Sequence, residues 1–154
     1  MNVIRRKDRE ITHEEAVAVL DAAEYGVLSM VDPQGHPYAV PMSFVRNGDR
    51  LIFHCAPEGR KIDCIRHLSA VSFCAVGRKR TIPAQFTTEY ESVYLEGIAE
   101  IIDDEKQKID DLLKLCEKYT PDHLAAAAEA IDRSLHRTTV IEMQITTVTG
   151  KAKR

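Results

Sequence analysis

The stretch Phe53-His54-Cys55-Ala56-Pro57-Glu58-Gly59-Arg60-Lys61-Ile62-Asp63 carries the densest chemistry in the chain. It reads as a strand end, a glycine-containing turn and a helix that opens on two cations. Backbone N–H groups at a helix start, with Lys61 and Arg60 beside them, make a phosphate cradle. The same residues also suit a solvated basic turn. His54 follows Phe53 in an apolar strand, so alternation turns the two side chains to opposite faces. It then points to a pocket or to solvent, and a hydrogen-bonded structural histidine fits the pattern as well. Cys64 and His67 have a usable metal-ligand spacing, but His54 and Cys55 are adjacent and diverge, so no metal site is expected. Cys55 has no neighbour that would lower its pKa and mark it as a nucleophile. Neither a Ser-His-Asp set nor a carboxylate pair with acid–base spacing is identifiable.

These residues need a scaffold of strands. Thr12 and Glu15 form a capping box, with Ile11 and Ala16 as its hydrophobic staple, for a helix ending near Glu24. A strand at 25–31 leads to the turn Asp32-Pro33-Gln34-Gly35. The next strand, 36–45, holds Pro37 and Pro41, which cannot donate to a ladder, so it belongs at an edge or a barrel rim. Asn47-Gly48 is a hairpin signal into a strand at 51–55. A short helix at 57–68 and a strand at 70–76 follow. Residues 77–91 show no periodicity and read as a long, functional loop. The strand at 92–102 alternates, with Gly97 hinting at a bulge. Helices at 103–118 and 121–135 come next, the second capped by Thr120 with Pro121 in its first position. A strand rich in β-branched residues spans 138–148. Strands outnumber helices and come as hairpins, which predicts a small antiparallel barrel with flanking helices.

The length, 154 residues, fits a single domain able to bury roughly two thirds of its unfolded surface. Apolar residues are 44% and charged residues 29%, an ordinary globular balance that excludes disorder. Lys+Arg 21 against Asp+Glu 24 leaves a net charge of −3. That balance argues against nucleic acid as a partner, and the basic runs at 78–80 and 151–154 read as solvated surface. No segment approaches the ~20 apolar residues of a membrane span, and no secretory signal opens the chain. Cys55, Cys64, Cys74 and Cys116 form no Cys-x-x-Cys pair, which suits reduced thiols in a cytoplasm.

Gly26-Val27-Leu28-Ser29-Met30-Val31-Asp32, then Gly35-His36-Pro37-Tyr38-Ala39-Val40-Pro41, then Phe53-His54-Cys55-Ala56 with Gly59-Arg60-Lys61, resembles the pyridoxamine 5'-phosphate oxidase-like superfamily of FMN-binding split barrels. Ile82-Pro83, the run from Phe86-Thr87-Thr88-Glu89-Tyr90-Glu91-Ser92-Val93 to Gly97, and the closing Thr149-Gly150-Lys151 are similar to its nitroimidazole-resistance branch. The resemblance spans about residues 5–151. It implies a mainly β, six-stranded antiparallel Greek-key split barrel over residues 1–154, dimeric, with FMN between subunits. Gly59, Arg60 and Lys61 would meet the FMN phosphate. The flavin ring would run along the backbone at Val40, Pro41, Met42 and Ser43, and at Phe53, His54, Cys55 and Ala56. The partner subunit would reach in with Phe86, Tyr90 and Ser92. His54 would face the ligand pocket as the catalytic residue.

Val40 stands where the parent oxidases carry an arginine, which argues against pyridoxamine-phosphate oxidation itself. The implied activity is an FMN-dependent cytoplasmic oxidoreductase that reduces a small, electron-poor substrate. The alternative is a dimer that holds flavin or haem for storage or sensing.

Overall fold

A computed structural model describes residues 4–154. Seven antiparallel strands form one sheet in the order β2-β1-β5-β6-β7-β4-β3. The strands are β1 Tyr25–Val31, β2 Pro37–Ser43, β3 Val45–Asn47, β4 Arg50–Cys55, β5 Ala70–Ile82, β6 Thr87–Ile102 and β7 Thr139–Lys153. The helices are α1 His13–Ala22, α2 Arg60–His67, α3 Glu105–Tyr119 and α4 Leu124–Ser134. The expected mainly β barrel with flanking helices is the fold observed, with seven strands in place of six. The difference arises at Phe44, fully buried, where the strand expected at 36–45 breaks into β2 and β3.

Local chemistry explains much of this framework. Thr12 caps α1 with both arms of the capping box in place, and Ile11 and Ala16 pack together over Gly150. Asp32 shapes the β1–β2 turn by accepting from the N–H groups of Gln34 and His36 at 3.0 and 2.9 Å, while Gly35 takes φ +85°. β2, with its two prolines, is an edge strand as expected. The β6–β7 register slips between Glu96 and Gly97, so the glycine does mark a bulge. A Cβ there would lie 2.2 Å from the Gln144 carbonyl oxygen.

Two expectations fail for identifiable reasons. Residues 77–91 are not a loop: β5 and β6 continue as a ladder from Lys79–Tyr90 to Ile82–Thr87, closed by a single 3-10 turn at Pro83–Gln85. This arm stands off the core, so neither face is apolar and the sequence shows no alternation. Thr120 does not cap the following helix. Its hydroxyl donates back to the Cys116 carbonyl at 3.1 Å, a 3-10 turn fills Pro121–His123, and α4 starts at Leu124.

The sheet curls around one core, since Met42 of β2 and Leu51 and Phe53 of β4 join Leu28, Phe73 and Leu95 in a single apolar cluster. Phe73 lies at its centre, 4.9 Å from the Phe44 ring and 5.5 Å from the Phe53 ring. A second cluster, including Ile52, Ile102, Leu112, Ile131 and Val140, seats α3 and α4 on the outside of the sheet. Under this helix pair the buried Glu142 of β7 accepts from Arg50 of β4 at 2.6 Å and from Gln107 of α3. The buried Asp111 of α3 joins them. At the end of α3 the Tyr119 hydroxyl accepts from the Phe44 N–H at 2.9 Å and donates to a carbonyl of Glu24 or Phe44. The neighbouring Lys118 donates to the Ala23 carbonyl at 2.8 Å. No helix among the described residues is long and apolar enough to cross a membrane.

Candidate functional site

β4 ends in a backbone edge that only half the sheet uses. β3 covers it at residues 50–52, whereas Phe53, His54 and Cys55 pair with β7 alone. β2 likewise pairs only with β1, leaving residues 40–43 with a free edge. Alternation sorts the side chains on both strands. Val40 and Met42 turn to the core, and Pro41 and Ser43 are exposed. Phe53 is fully buried, Cys55 packs half-buried on the core, and His54 points outward and is exposed. Phe53 and Met42 therefore present backbone, not side chain, to anything bound along these edges.

The chain then turns through exposed Ala56 into α2. Gly59 takes φ +135°, a conformation open to glycine, and no side chain caps the helix. The first intrahelical bond runs from the Asp63 N–H to the Gly59 carbonyl at 3.2 Å. The N–H groups of Arg60, Lys61 and Ile62 thus begin the helix without an intrahelical partner, the arrangement that attracts anions.

The two cations part company here. Arg60 donates to Asp32 at 3.1 Å and lies 4.3 Å from the Tyr38 ring centroid, which ties α2 to the β1–β2 turn. The His36 backbone N–H, with help from Arg60, holds the Asp32 carboxyl below its usual range. Lys61 makes no ion pair among the described residues, and its charge reaches Cys55. Burial nonetheless pushes the Cys55 thiol up, which leaves it a poor nucleophile at neutral pH. Cys64 is buried in the core while His67 is exposed, so that pair does not converge.

Phe86, Tyr90 and Ser92 sit on the β5–β6 arm. Tyr90 pairs with Lys79 and Lys153, and Ser92 with Val76 and Lys151. Phe86 forms the tip, 96% exposed with φ +50°. Sequence reasoning missed an open cleft of about 800 Å³ between the end of α1 and strands β1 and β5, walled by Tyr25, Val27, Cys74 and Val76. Its signal was available, since these outward positions of two strands are apolar although their inward neighbours already fill the core.

A curled antiparallel sheet, split where β2 and β4 keep free edges and joined there to an uncapped helix start, defines a split-barrel ligand-binding fold. The sequence profile of the pyridoxamine 5'-phosphate oxidase family matches residues 12–152, and the chain belongs to that family. Among solved structures it is similar to a protein from Bacteroides thetaiotaomicron provisionally described as a 5-nitroimidazole antibiotic resistance protein. The two are 24% identical, with a TM-score of 0.79 over 93% of this chain and 86% of that one. A flavocytochrome from Azotobacter vinelandii is 22% identical, with a TM-score of 0.80 over 99% of this chain and 73% of its own. An FAD and heme binding protein from Mycobacterium smegmatis is 20% identical, with a TM-score of 0.79 over 95% and 74%. At these identities the likeness is one of fold. A comparison with curated protein sequences found no match.

Proposed function

We propose that this protein is a cytoplasmic flavin-dependent reductase of the nitroimidazole-resistance type, with FMN as cofactor. The observation that carries the reading is the start of α2. It is uncapped, opened by the positive φ of Gly59, and adjoined by Lys61 without an ion-pair partner. These residues suit a terminal phosphate. Lys61 and the N–H groups of residues 60–62 would hold it, and Arg60, anchored on Asp32 and Tyr38, would fix the helix start in place. The free backbone edges at residues 40–43 and 53–55 offer N–H and carbonyl groups to the polar rim of a flavin ring. Bound there, the flavin would supply the electrons for a small, flat, electron-poor substrate. His54, exposed on the strand beside the cradle, would donate the proton that such a reduction consumes.

Membership of the oxidase family and the fold shared with flavin-binding proteins support this reading. The outward apolar side chains Tyr25, Val76, Tyr94 and Ile98 favour a second copy covering the sheet. Phe86, Tyr90 and Ser92 would then complete the second copy's site. Light scattering should give twice the chain mass.

The test of the cradle is a comparison of FMN with riboflavin. The purified protein should bind FMN the more tightly, and Lys61→Ala should remove about 1.5–3 kcal/mol of that binding, the value of a charge-assisted hydrogen bond. Equal affinity for riboflavin overturns the cradle. The absorption spectrum also separates flavin from haem, the cofactor of a carrier or sensor that two fold neighbours make worth checking.

A further inference from the structure

The start of α2 has no cap to hold it. Gly59 offers no side chain to its free N–H groups. Ile62 and Ile65 seat the helix on the core, while Arg60 stays outside it. Arg60 supplies the missing restraint. Its guanidinium donates to Asp32 Oδ2 at 3.1 Å and lies 4.3 Å from the Tyr38 ring centroid. Both anchors are fixed in the fold. Asp32 is buried, and Tyr38 pairs with Met30 of β1 and packs on the core. Tyr38 also lies two residues before Val40, on the strand whose free edge runs through residues 40–43. Arg60 therefore reaches from the first turn of α2 to that strand. It sets how far the N–H groups of residues 60–62 stand from the edge of β2.

The two oxygens of Asp32 have separate duties. Oδ1 accepts from the N–H groups of Gln34 and His36 at 3.0 and 2.9 Å, which shapes the β1–β2 turn. Oδ2 accepts from Arg60. The His36 imidazole stands 3.7 Å from Oδ2, beyond hydrogen-bond reach. Asparagine at this place keeps Oδ1 as an acceptor and replaces Oδ2 with an amide nitrogen that only donates. It spares the turn and severs the tie to Arg60.

We propose that Asp32 is a positioning residue for the phosphate cradle. Through Arg60 it fixes the span between the start of α2 and the free edge of β2, and so sets the preference for a phosphorylated flavin over one without phosphate. Arg60 is then a strut and not a phosphate ligand. The inference rests on the flavin reading of this site. A ligand that meets both the edge and the cradle needs that span to match its own length; a ligand that meets the edge alone does not.

The experiment measures the Kd of FMN and of riboflavin by flavin fluorescence quenching, with the thermal midpoint of each protein. It compares the wild type, Asp32→Asn, Arg60→Ala and the double variant. The wild type should prefer FMN. Asp32→Asn should cut that preference at least about fivefold through loss of FMN affinity, part of the roughly tenfold or more that a direct charge-assisted contact carries. Arg60→Ala should cut it by a similar factor, and the double variant no further, because the two side chains act as one unit. An arginine that meets the phosphate itself gives the opposite sign, since Asp32→Asn would free the guanidinium and strengthen FMN. That result, or an unchanged preference, overturns the proposal. So does an equal fall in both affinities, the mark of a merely structural role. If Asp32→Asn does not fold, Tyr38→Leu removes the other anchor of Arg60 and should cut the preference in the same way; a preference kept or increased there overturns the proposal. A wild type that does not prefer FMN removes the cradle and the proposal with it. A wild type that prefers FMN, with variants that keep the preference, removes the proposal alone.

Discussion

Asp111 should make the stability of this protein fall as pH rises toward neutrality. Burial first, then the hydrogen bond and the charge of Glu142, push the Asp111 carboxyl up to about 7, with Asp110 adding and Arg50 opposing. Burial works to raise Glu142 too, but hydrogen bonds from Arg50, Asp111 and Gln107 outweigh it and hold that carboxyl below its usual range. Asp111 is therefore the partner that carries the proton. On β6, Glu100 lies opposite Glu142 and adds to the negative field on Arg50.

Between the ordinary aspartate value of 3.8 and about 7, the unfolded chain releases a proton that the native state keeps. Asp111 thus contributes its full stability below about pH 4 and loses it as pH rises through that interval. At about 1.4 kcal/mol per tenfold, the loss has an upper limit of about 4 kcal/mol. Arg50 and solvent at the half-open edge of the cluster screen it to about 2 kcal/mol.

Asp111→Asn keeps the shape and donates to Glu142 at every pH. The variant should match the wild type near pH 4 and exceed it by about 2 kcal/mol at pH 8, or roughly 4–8 °C in Tm for a chain of this size. Thermal melts followed by circular dichroism from pH 4 to 8 read the difference. A gap between the two proteins that does not change with pH would refute the proton assignment.

Tyr119→Phe should cost about 1–3 kcal/mol in urea unfolding, because the Phe44 N–H loses its acceptor and a carbonyl its donor. Gly97→Ala should destabilise by about 2–4 kcal/mol in the same assay, since its Cβ runs into the Gln144 carbonyl at the bulge; a silent substitution there would contradict the register of β6 on β7. His54→Ala should leave fold and FMN binding intact and slow substrate reduction at least about tenfold. Unchanged rates at saturating substrate would reduce His54 to a pocket wall.

The parts of the fold legible in the sequence are those written in adjacent residues. The Thr12–Glu15 box, the Asp32–Gly35 turn, the Asn47-Gly48 hairpin, the edge prolines of β2 and the Gly97 bulge each follow from a few neighbours. The outward turn of His54 follows from a period of two. What escaped depends on pairing across the chain. The arm at 77–91 has solvent on both faces and so no apolar rhythm. The contacts of Arg60 with Asp32 and Tyr38 join α2 to the β1–β2 turn across more than twenty residues, and no local pattern announces them. Nothing adjacent to Asp111 in the sequence marks it as buried; only the packing of α3 lays it on Glu142.

β4 lies between β3 and β7, and this order dictates when its strand is finished during synthesis. The partner of Arg50 across the ladder is Gln144, 94 residues later. As the nascent chain grows, β4 has only the three residues of β3 beside it, and β6 too waits for β7. Contacts this distant in sequence form slowly, and any chain stopped before Thr139 exposes two open strand edges, which recruit other chains. The strand that carries His54 is thus among the last to be completed, and a cofactor that uses it meets a finished strand only once residues 139–144 have been added.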